Sequence, residues 1–70
     1  MDLIKIGKYI AEKRKALGLT QKQLAEKLNM SDKSVSKWER GICLPDVSIY
    51  MELCSILRIS INEFLAGEDI

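Results

Sequence analysis

Seventy residues, 47% of them hydrophobic, make one small domain with a packed core, and no apolar run approaches the ~20 residues of a membrane span. Histidine is absent, and the two cysteines, Cys43 and Cys54, form no CxxC pair. That excludes an ordinary zinc site and a disulfide framework, and no cofactor or metal is expected. The net charge of +1 hides an asymmetry. Residues 1–41 hold ten Lys/Arg against five Asp/Glu, whereas residues 42–70 hold one against five. A positive front and a negative back suit a surface that meets phosphate, although ordinary charge scatter gives the same sums.

Taken in chain order, apolar residues recur at helical spacing throughout, and no strand-like alternation persists. Leu3, Ile6, Ile10 and Leu17 share one face of a helix expected over about 3–17, closed by Gly18. Gly7, inside that helix, either admits a close neighbour or carries no meaning. Asp2, Lys5 and Lys8 interrupt any signal-peptide core, and the thiols read as free in a reducing cytoplasm. Thr20-Gln21-Lys22-Gln23 fits a capping box and opens a second helix over about 21–28. Ser31 caps a third over about 32–40, closed by Gly41. Asp46, after the single proline Pro45, opens a fourth over about 47–57, and Ser60-Ile61-Asn62-Glu63 is a second capping box for a fifth over about 61–66. Residues 1–66 read as the domain, with 67–70 a C-terminal tail or the start of a linker.

The stretch Gln21–Arg40 carries the functional signal. Only Asn29, Met30 and Ser31 separate the second and third helices, a spacing that sets them at roughly 90–120° as a helix-turn-helix. The crossing needs a small residue, supplied by Ala25, and a turn residue that tolerates left-handed backbone, supplied by Asn29. Leu24, Leu28, Met30, Val35 and Trp38 are expected to fill the angle. Trp38 reads as core from its spacing to Val35 rather than as a base-stacking residue. On the third helix Asp32, Lys33, Ser36 and Lys37 then face outward with Ser34 at the margin, a polar face suited to base edges in the major groove, or simply a solvated surface.

The segment TQKQLAEKLNMSDKSVSKWERG resembles the Cro/phage-repressor (XRE-like) helix-turn-helix family. IGKYIAEKRKALGLT resembles that family's first helix, and LPDVSIYMELCSILRISINEFLAGE its last two. The resemblance implies an all-α, compact five-helix domain of lambda-repressor-like fold. It also implies a homodimer on a pseudo-palindromic operator in double-stranded DNA, most often as a repressor, in the cytoplasm and without a membrane. Asp32, Lys33 and Lys37 match base-contacting positions, with Ser34 and Ser36 beside them. Ser34 is assigned to bases and Ser36 to phosphate. Gln21 matches a glutamine that anchors to phosphate and braces the recognition helix, Thr20 adds a phosphate contact, and Arg40 matches a phosphate-facing site. Arg14 and Glu39 match a structural ion pair.

Three departures stand out. Asp32 is negative where a polar or basic contact is usual, leaving three roles open: repelling phosphate, accepting from a cytosine amino group, or capping the helix. The loop Ile42-Cys43-Leu44 lacks basic residues, and Asn29 replaces the usual turn glycine. Leu44, Met51, Ile59 and Ile61 are candidates for a dimer patch. A protein-interaction module that kept the fold and lost DNA binding is the competing reading. Enzymatic function is disfavoured because no histidine base, activated cysteine or phosphate-binding glycine loop occurs.

Overall fold

Helices begin in this chain where a side-chain oxygen can reach an amide hydrogen that the helix itself leaves unpaired. In the computed structural model, which describes residues 1–70, α1 spans Leu3–Ala16 behind Asp2, whose carboxylate accepts from the Lys5 amide at 3.1 Å. Lys13, Arg14 and Lys15 occupy its last turn, where positive charge offsets the helix dipole. The second helix, α2, spans Gln21–Lys27 inside a complete capping box. Thr20 Oγ1 accepts from the Gln23 amide at 3.0 Å, and Gln23 Oε1 accepts from the Thr20 amide at 2.9 Å. Ser31 caps α3, Asp32–Glu39, by accepting from the Ser34 amide at 3.2 Å. Two further helices, α4 over Tyr50–Leu57 and α5 over Ile61–Ala66, complete the chain, α5 behind the Ser60/Glu63 capping box.

Two expectations about these elements change. The segment expected as one helix over 47–57 starts as a separate 3-10 turn, Val47–Ile49. Asp46 bonds both the amide and the hydroxyl of Ser48, two residues on, and this winds the entry more tightly than an α-helical cap would. Helices α1, α2 and α3 each end one residue early, with Leu17, Leu28 and Arg40 as their C-caps.

The core lies where α1, α2, α3, α4 and α5 converge. Ile6 and Ile10 enter from α1, Leu24 and Ala25 from α2, Val35 and Trp38 from α3, and Leu53, Cys54, Leu57 and Phe64 from the C-terminal pair, with Leu28 at the turn. Tyr50 packs edge-on against Phe64, ring centroids 4.9 Å apart. Met30 corrects the expected core: it is exposed rather than wedged between α2 and α3. Its amide donates back to the Ala25 carbonyl at 2.8 Å, closing α2, while the other residues expected in the angle, Leu24, Leu28, Val35 and Trp38, are buried there. Leu3 and Leu17 are only half-buried. Of the four apolar residues assigned to a dimer patch, Leu44, Ile59 and Ile61 pack partly against the core, while Met51 stands 77% exposed.

Residues 67–70 fold back on α1. Gly67 reverses the chain at φ +70°, so close to α1 that a Cβ there would sit 3.1 Å from the Ile6 nitrogen. Tyr9 donates its hydroxyl to Asp69 at 2.7 Å, Lys13 Nζ lies 2.8 Å from the same carboxylate, and Lys5 pairs with Glu68. Lys13 and then Tyr9 hold the Asp69 carboxyl below the usual range, and burial followed by the Asp69 bond pushes the Tyr9 phenol well up.

Candidate nucleic-acid interface

Asn29 makes the turn possible. It takes φ +57°, a left-handed conformation that asparagine tolerates better than most side chains, and so reverses the chain between α2 and α3. Ala25, 1% exposed, leaves room for α3 to cross. The inner edge of α3 is Val35 and Trp38, 0% and 4% exposed, so the tryptophan is core and unavailable for stacking on a base.

The third helix is also clamped to α1. A Cβ on Gly7 would meet the Trp38 carbonyl oxygen at 2.3 Å and the Glu39 carbonyl oxygen at 2.8 Å, so α1 touches the end of α3 backbone to backbone. The open question about Gly7 is thereby answered, since only glycine fits. Beside this contact Arg14 Nε donates to Glu39 Oε2 at 2.6 Å, and a terminal guanidinium nitrogen donates to Oε1 at 2.9 Å. The fork geometry matches a bidentate arginine–carboxylate pair. Arg14 also donates to the Leu19 carbonyl at 2.8 Å, and Gln21 donates its amide to Glu39 Oε1 at 3.0 Å. The carboxylate thus ties α1, α2 and α3 together. Its two side chains are 10% and 7% exposed, and Glu39 raises the arginine's proton affinity. Every buried side-chain polar atom has a partner.

The opposite face of α3 points to solvent. Asp32, Lys33 and Lys37 are exposed, and the ion pairs of the molecule engage none of them. Ser31, not Asp32, supplies the side-chain cap, which removes one of the three roles open to Asp32. Ser34 shares its hydroxyl with Ser31 at 3.1 Å and is half-buried. Arg40, just past the helix, is tethered. Its Nε donates to the Ser36 hydroxyl at 3.2 Å and to the Ser36 carbonyl at 3.3 Å. The sequence held no signal for that tether beyond an i, i+4 spacing. Thr20 is exposed at the start of α2, with Gln21 half-buried next to it. The adjoining loop is apolar, with Ile42 56% exposed and Cys43 at the surface. No group of three or more acidic or sulfur ligands could hold a metal ion, and no helix is long and apolar enough to cross a membrane.

The arrangement therefore presents three outward charges on a helix anchored on its inner side by a core tryptophan and a buried ion pair. The chain as a whole is similar to known proteins. The profile of the helix-turn-helix family matches residues 10–64. The HTH-type transcriptional regulator ImmR of Bacillus subtilis (strain 168) is 36% identical over 64 residues, covering 91% of this chain and 50% of that protein. The HTH-type transcriptional activator BcrR of Enterococcus faecalis is 31% identical over 96% of this chain and 33% of its own length. The cryptic phage CTXphi transcriptional repressor RstR of Vibrio cholerae is 37% identical over 86% of this chain and 54% of its own. The chain thus spans between a third and about half of these relatives. Among solved structures, the P22 c2 repressor protein in complex with synthetic operator 9T superposes with a TM-score of 0.84 at 28% identity, covering 90% of this chain and 96% of that one. Turn, clamp and outward helix, with matches along nearly the whole chain, place it in the XRE/Cro-type family of DNA-binding helix-turn-helix transcriptional regulators, which are not enzymes.

Proposed function

We propose that this chain binds double-stranded DNA sequence-specifically, laying α3 in the major groove of a pseudo-palindromic operator as a homodimer and acting as a repressor. The observation that carries the reading is the unpaired outer face of α3, with Lys33, Lys37 and Asp32 free on a helix whose other side is locked in the core. Lysine donates to guanine O6 and N7, and a carboxylate accepts from the cytosine amino group, so these three side chains, with Ser34 at the margin, read base edges. Thr20, Gln21, Ser36 and Arg40 face the phosphates, Ser36 by holding the arginine in place as well. The clamp lets Gln21 brace the recognition helix through Glu39 and keep its backbone amide for phosphate. Residues 1–66 suffice as the binding unit. Repression follows when such a domain covers a promoter, and RstR and the P22 c2 protein bear that name, although BcrR is named an activator.

Selection of bound duplexes from a random library tests the reading. The winners should contain inverted half-sites ~34 Å, one turn of DNA, apart. Lys33→Ala should relax preference at one base pair, worth ~1–3 kcal/mol, whereas Arg40→Ala should weaken every sequence alike and lower the salt slope by ~1. Uniform loss with Lys33→Ala contradicts the assignment.

The apolar Ile42-Cys43 loop favours a second reading, a protein-binding module without DNA affinity. Association with random duplex that weakens linearly with log salt excludes it.

A further inference from the structure

On the side of the molecule formed by the ends of α1, α2 and α4 lies a cleft of about 360 Å³. Leu17, Leu19 and Ile56 form its apolar wall, and Lys27, Ser55 and Arg58 its polar one. The volume is at the lower end of the ~300–1,000 Å³ of small-molecule sites, enough for a short chain and too little for a helix. None of the molecule's ion pairs involves Lys27 or Arg58, so the cleft offers two cations with no internal carboxylate to satisfy them.

Arg58 is unusual for a second reason. It is the sole basic residue after position 41, and it takes the left-handed conformation, φ +60° and ψ +44°, where it ends α4. The other left-handed residues are Gly18, Gly41 and Gly67, which pay no steric penalty, and Asn29, which pays little. Arginine has neither excuse. A strained residue of this kind points to a use for its side chain, since glycine would close the helix with less strain.

We propose that this cleft binds a small amphipathic carboxylate, with the anionic head between Arg58 and Lys27 and the apolar chain against Leu17, Leu19 and Ile56. Guanidinium and ammonium groups favour a carboxylate, and the half-buried aliphatic wall favours an alkyl or aryl tail. Glu26, in the adjoining depression shared through Leu19 and Lys27, repels a second negative charge and so favours a monoanion.

The test is an NMR titration of the full chain, without DNA, using octanoate, with octanamide and acetate as controls for charge and for chain. Because no DNA is present, the outcome is separate from the DNA-binding reading. Octanoate should move the methyl resonances of Leu17, Leu19 and Ile56, and both controls should bind about tenfold more weakly or worse, as loss of a charge-assisted hydrogen bond or of the buried chain implies. Arg58→Gly should hold its Tm at or above that of the parent while losing about tenfold in octanoate affinity. Lys27→Gln, which leaves the backbone undisturbed, should also weaken binding. The proposal fails if octanamide binds as tightly as octanoate, if either variant binds unchanged, or if the shifts fall instead on the separate depression lined by Met51, Ile59 and Ile61.

Discussion

The first helix carries two electrostatic seams, and they differ in kind. Toward α3 it presents Arg14 to Glu39, two side chains 10% and 7% exposed, joined by a bidentate pair and surrounded by core. Toward residues 67–70 it presents Lys5 to Glu68 and Lys13 to Asp69, whose side chains are between 25% and 64% exposed. Water screens the second seam and is largely excluded from the first. Removing one partner at the buried seam leaves an uncompensated charge, whereas an exposed partner simply returns to solvent. Burial, more than distance, decides which ion pair the fold depends on.

The comparison can be broken at its strong end first. Glu39→Ala should cost ~3–5 kcal/mol in denaturant unfolding, because it strands Arg14 and also releases Gln21. Replacing Arg14 and Glu39 together by Met and Leu should recover most of that loss. If Glu39→Ala melts like the parent, the seam is not structural. Gly7→Ala comes next. The added methyl collides with two backbone carbonyl oxygens that cannot rotate away, so α1 must move off α3. A loss of ~1–3 kcal/mol is expected, with weakened DNA binding if α3 tilts.

Asp69→Asn should have the smallest effect, a small drop in Tm that disappears at high salt. Its pH dependence has a definite sign. Asp69 is held below its ordinary pKa in the folded state by Lys13 and Tyr9, and Glu63 by amide bonds from Ser60 and Ile70. Folding with a depressed carboxyl pKa adds stability that is complete above the unfolded value, ~4, and disappears as pH falls through the lower folded value. Melts between pH 6 and 2 should therefore fall less steeply for Asp69→Asn than for the parent. Identical slopes would mean that the clasp does not form in solution.

Much of the site's scaffold was readable from residue types at fixed offsets. The capping boxes at Thr20 and Ser60, the Ser31 cap and the left-handed Asn29 depend on bonds within a few residues, and the structure has them where the spacing placed them. Features that depend on distant neighbours were less legible. Met30 is apolar and its spacing predicts a place in the core, yet chain reversal at Asn29 turns it outward. Asp46 looked like an ordinary helix cap, and its grip on Ser48 makes a 3-10 turn first. Neither the Ser36–Arg40 tether nor the return of Asp69 to Tyr9 leaves a pattern that local spacing would single out.

Sequence alone determined the helices, their caps and the sharp turn that brings α3 out, because helical period and side-chain-to-backbone bonds act over three or four residues. Tertiary structure decided why position 7 has no side chain, which ion pair is sheltered, where the acidic tail goes and that Arg58 bends left-handed beside a cleft. Those properties depend on burial and close approach between segments far apart in the chain, and neither exists until the helices pack.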